Sequence, residues 1–255
     1  LYPKHPEAPA PVTPALKTSL RNRRARRRAA LSRWRAGWSA DLDAPGARAA
    51  ARYDMNVLDH GFVRRFWTNG REVAPGVWRS NQPSPERVAA LADMGIRTIL
   101  NFRGVNHWGS YLLEVEACAR HGVTLLNGRL SSNTAPTQEE IHTALALMET
   151  AEKPMLMHCK SGADRAGLAS VLYLLSNGTG PDEAARQLSW KHAHFRFTRT
   201  GVLDAFVAAY ADARRKTGIG FLDWVDTVYD PETLTARFTE TRGGNRLLDW
   251  VLRRE

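Results

Sequence analysis

The sequence has no long apolar run. Its longest, near Leu168 to Leu175, falls well short of the about 18 residues needed to cross a bilayer, and no secretory signal is visible. The chain opens on Leu1 rather than Met, which leaves room for a segment removed ahead of it. Metal ligands are few: His192 and His194 stand two apart without acid or cysteine partners nearby, so neither a metal nor a cofactor is expected. Cysteine is scarcer still, limited to Cys118 and Cys159 on different elements. Internal repeats are absent as well; Phe221-Leu222-Asp223-Trp224 returns once as Leu247-Leu248-Asp249-Trp250, too faint an echo for an array.

Acid is missing from one whole segment. Lys17, Arg21, Arg23, Arg24, Arg26, Arg27, Arg28, Arg33 and Arg35 are nine cations with no carboxylate among them, against a net charge of +10 for the chain. The basic character therefore belongs to this tail, and the remainder is close to neutral. A helix over residues 16–40 would set Leu31, Trp34 and Trp38 on one face with arginines around them, a pattern that suits an anionic membrane surface. A solvated tail, or one docked on the domain, fits the same residues. No recognisable nucleic-acid-binding fold accompanies the charge, so no specific nucleic acid is expected as a partner. Five prolines among residues 1–15 predict an extended, disordered lead-in.

Chemistry concentrates in Met155-Leu156-Met157-His158-Cys159-Lys160-Ser161-Gly162-Ala163-Asp164-Arg165-Ala166-Gly167. This reads as a buried strand, a tight loop and the start of a helix through Leu168, Val171, Leu172 and Leu175. A Cys followed six residues later by Arg, on a loop that opens a helix, can form a cup for phosphate. Successive N–H groups turn inward, the helix N-terminus adds partial positive charge, and Arg165 closes the ring with its guanidinium. The same field favours a Cys159 thiolate able to attack phosphorus, and Gly162 lets the backbone turn sharply. Without that context, the same cysteine would be a packing residue at a strand end.

His158-Cys159-Lys160-Ser161-Gly162-Ala163-Asp164-Arg165 resembles the signature loop of the cysteine-dependent protein tyrosine and dual-specificity phosphatase superfamily. Val77-Trp78-Arg79-Ser80-Asn81-Gln82-Pro83 and Gly95-Ile96-Arg97-Thr98-Ile99-Leu100-Asn101-Phe102-Arg103-Gly104 resemble the opening of compact bacterial dual-specificity members, and the likeness spans roughly residues 70–215. The resemblance implies a phosphoric monoester hydrolase. Cys159 would be the nucleophile carrying a transient phosphoryl group, Arg165 would clamp two phosphate oxygens, and His158 would fix the loop. Lys160, Ser161, Gly162 and Ala163 would bind the phosphate. Such a thiol must stay reduced, which points to a cytoplasmic location, with peripheral attachment at the membrane as the tail's contribution. Cys118, in a helical run, reads as packing, with a redox partnership to Cys159 as the alternative.

Two departures stand out. Related phosphatases draw the leaving-group proton from an Asp on an upstream loop, yet no Asp lies between Val123 and Pro154. Asp164, where myotubularin-like phosphatases carry an acid, is one candidate; Glu139 or Glu140 and substrate-assisted protonation are others. Asp164 could instead form an ion pair that braces Arg165. The second departure is Ala166, which stands where many members have Ser or Thr, so turnover is expected to be slow unless Ser161 compensates. Lys160 resembles the lysine of phosphoinositide-type lipid phosphatases and adds charge for a polyanionic head group, while Arg129 and Lys191 read as surface charges. Asn101 and Arg103 are expected to brace the signature loop.

The leading substrate is a phosphorylated protein, on phosphotyrosine or with dual specificity. Lys160, Asp164 and the basic tail motivate a phosphorylated lipid or inositol phosphate instead, and the missing acid with Ala166 motivates a phosphate-binding scaffold. Strand and helix alternate from about Tyr53, with a hairpin over Trp67 to Val77, a helix capped by Ser84 and Pro85, and a capping box from Thr137 to Glu140. The expected fold class is α/β, a central mostly parallel sheet flanked by helices. The catalytic domain is expected over residues 51–215, a basic tail over 1–50, and a helical C-terminal extension, packed on the domain or binding a partner, over 216–255.

Overall fold

The structure, a computed structural model, describes residues 14–241. Its strands are β1 (Arg71–Ala74), β2 (Val77–Asn81), β3 (Thr98–Asn101), β4 (Thr124–Asn127) and β5 (Met155–Cys159), joined in one sheet in the order β1-β2-β5-β3-β4. β1 and β2 make an antiparallel hairpin around Pro75-Gly76, and the remaining pairings are parallel. β5 lies in the middle, which is why its five residues are all buried and apolarity does not alternate along it. Register then fixes the neighbours of the loop that follows: Asn81 pairs with Cys159, and Asn101 with His158.

Helices cover both faces. In chain order they are α1 (Pro14–Ala36), α2 (Ala47–Tyr53), α3 (Gly61–Phe66), α4 (Pro85–Asp93), α5 (Gly109–Arg120), α6 (Gln138–Thr150), α7 (Arg165–Ser176), α8 (Pro181–Ala184), α9 (Val202–Thr217), α10 (Phe221–Thr227) and α11 (Pro231–Thr241). Their starts follow local chemistry. Ser84 Oγ accepts from the Arg87 N–H at 3.3 Å with Pro85 in the first turn, and Thr137 and Glu140 form a reciprocal capping box. On one side of the sheet, α6, α7, α9 and α10 pack against Leu100, Met155 and Met157. On the other side, Val88 and Leu91 of α4 and Ala117 and Cys118 of α5 meet Ile99 and Leu156.

Residues of α10 and the turn after it join the main core. Phe206, Tyr210, Phe221, Trp224 and Tyr229 form one aromatic cluster, with the Trp224 and Tyr229 ring centroids 4.8 Å apart. The phrase Leu247-Leu248-Asp249-Trp250 lies outside the described residues, as does the proline-rich lead-in up to residue 13. α1 begins at Pro14, the last proline of that stretch.

The basic tail docks by its C-terminal end. Trp38 is buried in a small core with Ala47, Ala51, Met55 and Leu113, and its ring lies 5.3 Å from that of Trp34. Arg35 Nη2 sits 2.7 Å from Oδ1 of the buried Asp54, whose Oδ2 accepts from the Gly109 N–H at 2.8 Å. A Cβ at Gly109 would stand 2.1 Å from the Ala51 carbonyl oxygen, so this glycine allows α5 to press against α2. Trp38 therefore faces the domain and is removed from any outer apolar face, whereas Arg26, Arg27, Arg28 and Arg33 remain exposed. Among the described residues no helix is long and apolar enough to cross a membrane.

Trp38→Ala should lower the unfolding free energy by about 3 kcal/mol. Trp38→Phe should cost much less, because the buried indole N–H has no hydrogen-bond partner among the described residues. Urea denaturation of the wild type and both variants checks the pair; equal midpoints throughout would mean that the segment does not dock.

Candidate active site

Cys159 ends β5, residues 160–164 form the loop, and Arg165 opens α7. The loop sits directly on the end of β2. Gly162 has φ +72°, and a Cβ there would stand 2.6 Å from both the Asn81 nitrogen and the Ser80 carbonyl carbon, so both the left-handed backbone and the close approach require glycine.

The loop carbonyls are drawn outward one after another. Lys160 O accepts from the Gln82 N–H at 3.4 Å, and Ser161 O from Asn69 Nδ2 at 3.2 Å. Gly162 O and Ala163 O accept from Arg79 Nη2 at 2.5 and 3.1 Å. In a trans peptide the C=O and the following N–H point in opposite directions, so the N–H groups of residues 161–164 turn to the inner side. Inward N–H groups at the N-terminus of α7, whose first residue is Arg165, form an arrangement able to receive an anion. Cys159, 1% exposed, lies at its base.

Arg79 holds this arrangement from beneath. It has no solvent exposure and also donates from Nη1 to the Gln187 carbonyl oxygen at 2.6 Å. Burial lowers its guanidinium to about 10, against the opposing charges of Cys159 and Asp164. The sequence pattern does not mark this role; the available signal is an arginine inside a five-residue strand whose neighbours are hydrophobic or small.

Two further acids escape the sequence pattern. Glu114 on α5 is fully buried: its Oε1 lies 2.9 Å from His158 Nε2, outside hydrogen-bond geometry, and its Oε2 accepts from Gln82 Nε2 at 2.7 Å. Gln82 Oε1 in turn accepts from Arg103. Arg103 forks onto Asp59 at 2.7 and 2.9 Å, where Ser110 Oγ donates at 2.5 Å and Arg64 Nη1 at 3.1 Å. Burial alone would raise the Asp59 carboxyl, but Arg103, Arg64 and Lys160 overcome it and hold the group far below the usual carboxylate range.

This network engages Lys160, whose Nζ is 3.4 Å from Asp59 Oδ1. Burial lowers the ammonium pKa, an effect that Asp59 opposes and that Arg103 and Arg64 reinforce. Arg103 reaches the loop through Asp59 and Lys160, while Asn101 donates to Asn127 Oδ1 and Gly104 O on the neighbouring turn.

The acid candidates separate. Glu140 is occupied, accepting from the Thr137 N–H at 3.1 Å and from Ser131 Oγ at 2.7 Å, while Glu139 is exposed. Asp164 Oδ1 lies 2.7 Å from His194 Nδ1, and His194 Nε2 lies 2.7 Å from Asp204 Oδ2. His192, two residues away, is pushed down to about 4 by burial and then by Arg79, Arg71 and Lys191. Cys118 packs between α4 and β3, and burial followed by the charge of Glu114 pushes its thiol up to about 12. Ala166 is fully buried, and Ser161 Oγ accepts a long 3.4 Å contact from the Ala163 N–H.

A mostly parallel sheet delivering a Cys-to-Arg phosphate loop onto a helix N-terminus defines a cysteine-dependent phosphatase of the dual-specificity type. The chain belongs to the family described as DSP-PTPase phosphatase fused to NAD+ kinase, whose model matches residues 60–200. Similar solved structures include a putative phosphatase (DUF442) from Shewanella putrefaciens, 19% identical over 58% of this chain and 96% of that one, with TM-score 0.45. TpbA of P. aeruginosa is 19% identical over 68% and 91%, with TM-score 0.47. The core catalytic domain of the PP-IP phosphatase SIW14 from S. cerevisiae is 19% identical over 59% and 93%, with TM-score 0.42. No curated protein is significantly similar in sequence.

Arg79→Lys keeps a charge but cannot fork between two loop carbonyls and the Gln187 carbonyl. It should lower stability by about 2 kcal/mol and weaken inorganic phosphate binding by about tenfold. Denaturant titration and calorimetry check both effects; unchanged phosphate affinity would mean that the loop holds its shape without Arg79.

Proposed function

We propose that the chain hydrolyses phosphomonoesters of proteins, on phosphotyrosine or with dual specificity, through a phosphocysteine at Cys159. The observation that carries the chemistry is that four successive loop carbonyls after Cys159 are each engaged by donors outside the loop, which frees the opposite side of those peptides for an anion. Cys159 attacks phosphorus, Arg165 stabilises the charge spread over the equatorial oxygens, and Asp164 protonates the leaving oxygen. His158 fixes the strand end beside the nucleophile, and Ser161, Gly162 and Ala163 contribute the cup. The observation that favours a protein substrate over a polyanionic head group is the engagement of Lys160 by Asp59, which leaves the lysine as part of the loop's support.

The exposed arginines of α1 serve in this reading as a peripheral contact for anionic lipid, with Arg26, Arg27, Arg28 and Arg33 facing outward. Vesicles containing phosphatidylserine should bind the protein at low salt and release it at high salt; no binding at low salt removes this role.

Phosphate release in chelator from a phosphotyrosine peptide and from phosphoinositide vesicles tests the substrate. The peptide should be preferred, and Cys159→Ser should lower kcat on the order of 10⁴-fold or more while inorganic phosphate still binds. Preference for the lipid overturns the substrate reading, and activity surviving Cys159→Ser overturns the mechanism.

A further inference from the structure

Asp164 is the N-cap residue of α7, yet its side chain makes no capping hydrogen bond. An aspartate there ordinarily accepts from the first-turn N–H groups. Here the carboxylate turns to His194 instead, at 2.7 Å, and the other ring nitrogen meets Asp204 of α9 at the same distance. His194 is 2% exposed. It is held in place by a stiff approach. Ala193 has φ +60°, a left-handed backbone that side chains resist, Asn69 Nδ2 donates to the His192 carbonyl oxygen at 2.9 Å, and the His194 N–H donates to Ser189 O at 3.1 Å.

An imidazole between two carboxylates has a simple proton count. Each hydrogen bond needs one proton, and a neutral ring carries only one. The cluster is therefore satisfied by an imidazolium with two carboxylates, or by a neutral ring with one carboxylic acid. These two states differ only by movement of a proton along the 2.7 Å contact between His194 Nδ1 and Asp164 Oδ1.

We propose that Asp164, His194 and Asp204 form the proton relay of this phosphatase, with His194 as the positioning residue that loads Asp164 and Asp204 as the anchor of the ring. The proposal rests on the phosphatase reading above and supplies the acid missing from the loop ahead of α6. As the Cys159 S–P bond forms and the P–O bond breaks, the leaving oxygen takes a proton from Asp164, which is replenished from the imidazolium. Water then attacks the phosphocysteine, breaks the S–P bond and returns a proton to the relay, releasing hydrogen phosphate and the thiolate.

The groups around His194 set its titration. Asp164 approaches from α7 and Asp204 from α9, and Arg79 of β2 lies beyond Asp164. Burial pushes the imidazolium down, but the two carboxylates outweigh it and raise it to about 9. The relay is thus loaded through the neutral range and loses its proton as the pH rises through about 9.

The test compares phenyl phosphate, whose leaving oxygen needs a proton, with p-nitrophenyl phosphate, whose leaving oxygen needs it far less. His194→Gln should lower kcat/KM on phenyl phosphate on the order of 10²-fold, with a much smaller loss on p-nitrophenyl phosphate, and should abolish the alkaline limb near pH 9. Asp204→Asn should keep the limb and move it to lower pH. In Cys159→Ser protein, proton NMR should show His194 titrating well above an ordinary histidine, a readout independent of turnover and of how the His194 and Asp204 variants fold. Equal losses on both substrates with the limb unchanged, or ordinary titration of His194, overturn the relay while Cys159-dependent activity stands. Absence of Cys159-dependent hydrolysis in the wild type overturns the phosphatase reading and the relay with it.

Discussion

The buried guanidinium of Arg79 is the contact on which the site depends. Placing a full charge where no water reaches is costly, and only dense hydrogen bonding offsets it. The acceptors here are carbonyls of Gly162, Ala163 and Gln187 rather than an acid. The carbonyl partners carry no net charge, so the positive charge of Arg79 acts on Cys159 and Asp164. One side chain thereby turns the peptides, ties the loop to the segment after α8, and contributes charge to the anion cup. Gly162 makes the same contact feasible from the loop's side by allowing it to rest on Ser80 and Asn81 without a Cβ.

Around that centre the charges gather in two clusters. Asp59 gathers Arg64, Arg103 and Lys160, and Asp164 meets His194. The three cations on Asp59 exceed its charge, so a positive surplus persists beside the loop even though each side chain is anchored. Fixed cations suit catalysis better than mobile ones, because their orientation needs no reorganisation when charge develops on the phosphoryl oxygens.

The parts of the fold legible in the sequence are those that rest on neighbouring residues. Ser84 with Pro85 and Thr137 with Glu140 announce helix starts because a cap is settled within four residues, and the alternation of strand and helix announces a parallel sheet. Cys159, Gly162 and Arg165 are legible for the same reason, lying on one short loop. Asp59, Glu114 and His194 are not, since each meets its partner from another element: Asp59 reaches Arg103 across 44 residues and His194 reaches Asp164 across 30. Arg79 sits in a stretch that resembles the family, but nothing local says that its guanidinium turns under a loop 83 residues away.

The basic tail shows how one pattern supports opposite readings. Tryptophans among arginines describe a helix lying on an anionic bilayer and equally one clamped to a protein by its aromatic edge, because periodicity records which side is apolar and not what covers it. At the C-terminal end of the tail the cover is a protein surface, and an acid marks the receiving site. Asp54, buried on the turn after α2, accepts both Arg35 and the first N–H of α5, so the end of the tail and the helix carrying Glu114 share one carboxylate. Through Glu114 that helix also reaches His158. The tail's last turn, α5 and the end of β5 at His158 therefore lie in one packed series.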